Sequence, residues 1–503
     1  MESATGIERT ATAGQGWPRT VVIGAGMSGV LMGHRLREAG LGNFTIYEKG
    51  ESVGGTWREN HYPGLHCDVP SHHYCYSFAP NPGWSREYSP GPEIWRYFDR
   101  TSRQLGITRQ IRFNTAVTEA RWDGAGWQLR LSDGTTDVAD ILVSATGVLH
   151  VPMYPNIQGL DDFGGVKFHT TKWDHSVPLA DKRIGIIGTG STAVQIVAEL
   201  SGKVRELVLF QRTAQWVAKT PNRHFPLWKR LLFRLFPSIP RRLYKEAMSI
   251  TTAVVGSIIG EDPAGRAALV KNVEDNLASV KDPVLRAKLT PNHEVGCKRL
   301  ISSPNFYEAI QHPQSRVVTE TIDHVEQRGI VTKDGRLHEL DILVLATGFD
   351  PTAYVRPVKL YGPDGHDLDS LWAERPIAYR SIAVPHMPNF FMIGGPFCPF
   401  HSMSLVLMSE CLVDYIMKCI RVIAERRVAM APHAAATAEM IKTYREAAKH
   451  TIYATGGCAS YYLDSEGVPF IYPYGPQRFR DDIRQDPVLN DYHITPLPAF
   501  AAR

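Results

Sequence analysis

Two stretches of the chain share one order of apolar and polar positions. Residues 20–48 read TVVIGAGMSGVLMGHRLREAGLGNFTIYE, and residues 183–212 read RIGIIGTGSTAVQIVAELSGKVRELVLFQR. Each opens on a short uninterrupted apolar run, the pattern of a parallel strand covered on both faces. Each then passes through a glycine-rich turn into a helical pattern and ends in a second apolar run, which predicts a βαβ unit twice over. Residues 108–147 alternate polar and apolar positions and carry the turn signals Asp123-Gly124 and Asp133-Gly134, so they predict strands. A second strand-rich stretch runs from Val317 to Gly348. The two stretches end alike, in Asp140-Ile-Leu-Val-Ser-Ala-Thr-Gly147 and Asp341-Ile-Leu-Val-Leu-Ala-Thr-Gly348. Residues 227–290 are rich in Leu, Ala, Lys and Arg at helical spacing and predict a helical insertion. The predicted fold class is α/β, with two Rossmann-like dinucleotide-binding domains and that insertion.

Composition narrows the picture. Of 503 residues, 43% are hydrophobic and 21% charged, a balance that supports large cores and, at this length, two or three domains. The net charge of +4 is too small for the basic stripe of a nucleic-acid binder. Seven cysteines include no CxxC pair, which argues against a thioredoxin-like motif or a zinc ribbon. Their odd number in so large a chain predicts free thiols in a reducing cytosol. MESATGIERTATAGQGW has no apolar core and does not read as a signal peptide, so the expected location is cytoplasmic. Ser404–Ala424 is the most apolar long stretch, but Glu410, Asp414, Lys418 and Arg421 make it a buried or amphipathic helix, not a membrane span. Trp228–Tyr244 alternates basic and apolar residues. That pattern fits contact with a membrane surface or, on composition, more readily the solvated face of a packed helix.

The chemistry begins at the two glycine-rich turns. Gly24-Ala-Gly26-Met-Ser28-Gly29 is GxGxxG directly after the run Val21-Val22-Ile23. Its glycines permit a tight turn and close approach to a pyrophosphate, which the following helix attracts with its positive end. Glu48, at the end of the second apolar run, can accept hydrogen bonds from ribose hydroxyls. Gly188-Thr-Gly190-Ser191-Thr192-Ala193 is the GxGxxA variant, and there Arg212 takes the place that Glu48 has in the first unit. A carboxylate repels a 2′-phosphate, whereas a guanidinium binds it bidentately, with Thr213 adding a hydroxyl. The first site therefore expects an adenosine with a free 2′-OH, and the second expects NADPH. The bland readings are a glycine-rich turn without ligand and an exposed strand-end arginine.

With these motifs the chain resembles the flavin-containing monooxygenases, and within them the type I Baeyer–Villiger monooxygenases. The most specific stretch is Phe163-Gly-Gly165-Val-Lys-Phe-His169-Thr-Thr-Lys-Trp173-Asp174, which is similar to the Baeyer–Villiger fingerprint FxGxxxHxxxW followed by Pro or Asp. On the residues alone, His169 and Trp173 stand four apart and read as a packed pair on one face. The resemblance implies instead a linker that couples NADPH to flavin. Gly54-Gly55-Thr56-Trp57 resembles the second flavin segment, and Val117 belongs with the flavin contacts. Asp68 is similar to the acid that sits near the flavin and an active-site arginine, and Tyr74 to a flavin contact. Gly296-Cys297-Lys298-Arg299 resembles the GxKR segment. By that likeness Arg299 is catalytic and Lys298 helps hold the 2′-phosphate, where sequence alone suggests a solvated basic turn. Thr146 and Thr347, in the repeated Ala-Thr-Gly ends, are expected as structural links between domains. Pro388–Pro396 resembles the strand returning to the flavin, and Tyr461 stands where relatives often carry Trp. His72 and His73 lack partners at metal-ligand spacing and are expected to be structural, with no metal site.

The resemblance also implies the division of the chain. A mobile tail covers 1–17, and an FAD-binding domain is split over 18–150 and 370–503. A linker covers 151–182, the NADP-binding domain 183–226 and 291–369, and the insertion 227–290. The implied cofactors are FAD and NADPH. The implied activity is NADPH- and O₂-dependent conversion of a small-molecule ketone to an ester or lactone through a flavin C4a-peroxide, with Arg299 stabilising anionic oxygen and Asp68 orienting it. Oxygenation of amines or sulfides is the nearest alternative. A flavin disulfide reductase needs a redox cysteine pair that the spacing does not supply. A dinucleotide-binding sensor without catalysis is the remaining reading. No nucleic acid or transmembrane segment is expected.

Overall fold

A computed structural model describes residues 17–498. The expected tail over 1–17 lies, except for Trp17, outside the described residues. Two five-stranded sheets form the frame. The first runs in the order Phe390–Met392, Ile141–Ser144, Thr20–Ile23, Phe44–Tyr47, Ile111–Arg112. The second runs Ser315–Val318, Glu206–Phe210, Arg183–Ile187, Ile342–Leu345, Val166–His169. All neighbours in both sheets pair parallel. The strands Thr20–Ile23, Ile141–Ser144 and Ile342–Leu345 are buried along their whole length, which is why they read as unbroken apolar runs.

The repeated Asp-Ile-Leu-Val endings have a structural reason. Each aspartate pins the start of the neighbouring central strand: the Arg19 N–H donates to Asp140 Oδ2 at 2.7 Å, and the Arg183 N–H to Asp341 Oδ2 at 2.8 Å. The strand that follows each aspartate thus lies in register with its glycine-turn strand, Val22 opposite Val143 and Ile186 opposite Val344.

The two folds meet through the segments leaving these strands. The Met153 N–H donates to the Gly348 carbonyl at 2.9 Å and the Asp350 N–H to the Val151 carbonyl at 2.9 Å. Thr347 Oγ1 donates to the Met153 carbonyl at 2.5 Å, and Thr146 Oγ1 to the Tyr354 carbonyl at 2.8 Å. Both Ala-Thr-Gly threonines therefore tie the crossing strands together. Residues 353–369, expected within the second fold, belong instead to the first. Lys359–Tyr361 adds a strand to Val117–Trp122, and Tyr354, Val355, Val358 and Leu360 bury themselves in that same core.

Residues 227–290 form helices at Leu227–Leu235, Ser238–Ile259, Pro263–Ala278 and Pro283–Leu289. Asp262 and Asp282 cap the last two, accepting from the Gly265 and Val284 N–H groups. Leu405–Arg426 is a helix that buries Leu412, Val413, Ile416 and Ile420 in the core of the first fold. Its Ser409 hydroxyl meets the Ser28 hydroxyl at 2.9 Å. Among the described residues no helix is long and apolar enough to cross a membrane.

Candidate active site between the two nucleotide folds

Each glycine turn is shaped by what a side chain would meet. Gly24 has φ +102°, and a Cβ there would lie 2.8 Å from the Ala145 carbonyl oxygen; one on Gly29 would lie 1.8 Å from the Gly24 carbonyl oxygen. In the second turn Gly188 has φ +125°, and its Cβ would meet the Ala346 carbonyl oxygen at 2.3 Å. A Cβ on Gly26 would stand 3.7 Å from Gly55, where the second flavin-like segment crosses the first turn. Gly190 differs, since a Cβ on it would enter open space. Neither following helix, Met27–Glu38 or Ser191–Leu200, carries a side-chain cap. Both present bare N-termini to an anion. This is a cradle that suits pyrophosphate.

The strand-end residues separate the sites by charge. Glu48 is buried and accepts from the Ala25 and Gly50 N–H groups, each at 2.8 Å, and pairs with Arg58 at 3.0 Å. The Asn114 N–H reaches the Gly50 carbonyl, bringing the turn before Val117 against the same loop. At the second site Arg212 is exposed and Lys298 half-buried, and neither has a carboxylate partner among the described residues. Burial, and then the charge of Arg212, lowers the Lys298 ammonium below its ordinary value. Two interacting cations without a carboxylate partner among the described residues can hold a phosphate dianion. Thr189 holds the turn by donating to the Thr213 carbonyl at 2.9 Å. Ser191 and Thr192 lie half-buried at the helix start, and Ala193 packs fully inside.

Asp68 and Arg299 meet between the folds. Arg299 Nε donates to Asp68 Oδ2 at 3.0 Å, and Nη2 to Oδ1 at 2.9 Å and Oδ2 at 2.7 Å. Nη1 has no acceptor among the described residues. The charge of Asp68 raises the Arg299 pKa well above its ordinary value, against the opposing effect of burial. The contact is set up by the Tyr62–Asp68 segment lying on the helix Ser191–Leu200. Tyr62 OH donates to Gln195 Oε1 at 3.0 Å and Gln195 Nε2 to the His66 carbonyl at 2.9 Å. A side chain at Gly64 would strike the Gln195 carbonyl oxygen at 2.6 Å. Tyr74, buried, accepts from Trp57 Nε1 at 3.2 Å and stands beside Met27 at the head of the first helix. Thr56 opens the short helix that carries Trp57.

Sequence reasoning missed one neighbour of Arg299. His401 follows the Pro388–Pro396 strand segment, and burial, helped by the Arg299 charge, lowers its pKa to about 3. It is a neutral imidazole whose Nδ1 has no partner. Tyr462, fully buried, accepts from Tyr461 OH at 3.2 Å, while Tyr461 itself is half exposed. Nothing local in the sequence marks His401; its meaning comes from what the fold places beside it.

The expectation of free thiols is corrected in part: Cys297 and Cys458 form a disulfide, with Cα atoms 6.2 Å apart. Spacing could not find it because the partners are joined by the fold. The bond ties the Lys298–Arg299 loop to the segment bearing Tyr461 and Tyr462. The other five cysteines are free.

The fingerprint stretch lies at the crossing of the folds. Val166–His169 is an edge strand of the second sheet, where a Cβ on Gly165 would sit 2.5 Å from the Asp341 carbonyl oxygen. His169 is buried, holding Thr171 Oγ1 at 2.9 Å and the Gly348 carbonyl at 3.1 Å. Trp173 packs on Phe168 with ring centroids 4.7 Å apart, so His169 and Trp173 do not form a helical pair. Phe163 is in the second fold's core, and Asp174 is exposed, accepting from the Ser176 N–H and hydroxyl. His72 packs against Phe225 and Phe233, and His73 against Tyr244. Among the described residues no cluster of three or more His, Cys, Asp or Glu could hold a metal.

Comparison with known proteins gives concordant results. The flavin-binding monooxygenase-like family model matches residues 18–255. An uncharacterized monooxygenase of Mycobacterium tuberculosis is 44% identical, over 92% of this chain and 93% of its own. A Baeyer–Villiger monooxygenase of Streptomyces coelicolor is 36% identical, over 96% of this chain and 93% of its own. Among solved structures, an oxidized steroid monooxygenase bound to NADP superposes with TM-score 0.83 at 29% identity, covering 95% of this chain and 99% of that one. A closed form of cyclohexanone monooxygenase superposes with TM-score 0.83 at 28% identity, covering 96% and 100%.

Proposed function

The chain belongs to the flavin-binding monooxygenase-like family, among the Baeyer–Villiger monooxygenases, and on that premise we propose that it oxidises a ketone to an ester or lactone. One oxygen atom of O₂ enters the carbon–carbon bond beside the carbonyl. The other leaves as water, with NADPH supplying the two electrons. FAD, when bound, would supply the redox chemistry between NADPH and O₂.

The protein's own part is binding, orientation and charge. The first turn (Gly24, Gly26, Gly29) with Glu48 suits the adenosine and pyrophosphate of FAD, and Trp57 and Tyr74 suit its far end. The second turn (Gly188, Gly190, Ser191, Thr192) suits the pyrophosphate of NADPH, and Arg212 with Lys298 its 2′-phosphate. The need for NADPH favours a cytoplasmic location, and the Cys297–Cys458 disulfide stands against it.

The observation that carries the ketone reading is the free Nη1 of Arg299. Asp68 engages Nε and Nη2 and fixes the guanidinium plane, leaving one charged donor for an oxygen that becomes anionic. A donor fixed in advance costs no reorganisation as charge develops and is commonly worth about 3 to 4 kcal/mol in the barrier. His401, neutral beside it, adds a dipole without competing for negative charge. Tyr462, itself fully buried, backs this corner.

The test is product analysis on a panel of cyclic, aryl and aliphatic ketones with NADPH and air, wild type against Arg299→Ala. Wild type is expected to form ester or lactone. The variant is expected to oxidise NADPH while losing about 100- to 1000-fold in ester formation. Ester formation that survives the substitution removes Arg299 from the mechanism. A wild type that yields hydrogen peroxide alone with every ketone refutes the reading.

A further inference from the structure

The helix Leu227–Leu235 is held to the protein by one side only. Phe233 is buried, its ring 5.4 Å from His72 and 5.8 Å from Phe225, and the Phe225 N–H donates to the Ser85 carbonyl at 2.8 Å. The opposite side carries Leu227, Trp228, Leu231, Leu232 and Leu235, spaced as one helical face, with Phe236 just beyond. Leu227 is 78% exposed, Trp228 64% and Leu235 65%. Scattered surface leucines are ordinary, but a continuous stripe of large apolar side chains on one short helix marks a contact surface.

The charges around the stripe say what covers it. From Leu227 to Lys245 there is no Asp or Glu, while Lys229, Arg230, Arg234, Arg241, Arg242 and Lys245 are all basic. Among the described residues Arg242 alone of these has an ion-pair partner, Glu246 at 2.7 Å. Lys229 and Arg234, both exposed, fall on the two edges of the apolar stripe. An apolar face bordered by unpaired cations is the pattern of a helix lying in the headgroup plane of a bilayer. A second copy on this face would set these cations against themselves across a two-fold axis, with no carboxylate to answer them.

We propose that the helix Leu227–Leu235 docks the enzyme on the surface of an anionic phospholipid bilayer, its leucine and tryptophan face inserted and its cations on the headgroups. The helix rests on His72, four residues after Asp68 and two before Tyr74. The inference stands apart from the choice of ketone and is read without it.

The test is vesicle flotation of the FAD-loaded enzyme, with phosphatidylcholine alone or with about one-third phosphatidylglycerol. Wild type is expected to float with the anionic vesicles, less with the neutral ones, and less at high salt. Leu231→Glu with Leu235→Glu is expected to cut the bound fraction about tenfold or more, with melting temperature and NADPH oxidation on a water-soluble ketone unchanged. Lys229→Gln with Arg234→Gln is expected to abolish the preference for anionic lipid. The proposal is overturned if wild type floats with neither vesicle, or if the double-glutamate variant floats like wild type. It is equally overturned if sedimentation shows that this variant merely splits a dimer.

Discussion

At the scale of single residues the two nucleotide folds differ by one exchange, Glu48 in the first for Arg212 in the second, and we propose that this exchange tells their nucleotides apart. Among the described residues Arg212 has no acidic partner, and burial followed by the Arg212 charge lowers the Lys298 pKa, which supports the proposal that the two cations hold a phosphate. Arg212→Ala is therefore expected to raise the KM for NADPH about 10- to 100-fold and leave the KM for NADH nearly unchanged, the range of one charged hydrogen-bonded contact. Steady-state kinetics with both coenzymes decides it, and equal weakening of the two would sever Arg212 from the 2′-phosphate. Glu48 and Arg212 were legible because a βαβ unit fixes where its second strand ends. Asp68 and Arg299 stand 231 residues apart and were legible by family likeness alone. His401 was not legible at all, since its neutrality follows from burial and the Arg299 charge.

At the scale of elements, glycines at different positions of these turns meet different surroundings. Gly29 is pressed against its own turn, whereas Gly190 faces an opening. Gly29→Ala should therefore disturb the first unit itself, with about tenfold weaker retention of FAD and a lower melting temperature. Gly190→Ala should melt like wild type and bind NADPH at least about tenfold more weakly, because its methyl fills the place of the pyrophosphate. Flavin content, melting curves and NADPH titration read both; a Gly190→Ala enzyme with normal NADPH affinity would remove that turn from the coenzyme site. The strands, turns and inserted helices were legible because period and burial agree there. Lys359–Tyr361 was not, because three residues pairing with a distant strand leave no periodic trace, and the boundary at 369 was misplaced accordingly.

At the scale of the molecule the two folds are joined at two separate places. On one side Thr146, Thr347 and His169 bind the crossing strands. On the other the Cys297–Cys458 bond fastens the arginine loop to the chain's last third. That bond spans 161 positions, and in the chain-entropy view closing a ring of this size removes freedom worth about 5 kcal/mol from the unfolded polypeptide. It also makes the intervening backbone topologically redundant. A peptidase that severs the chain once, anywhere from 298 to 457, releases nothing: boiled in detergent, the halves should migrate as a single band, and dithiothreitol alone should part them.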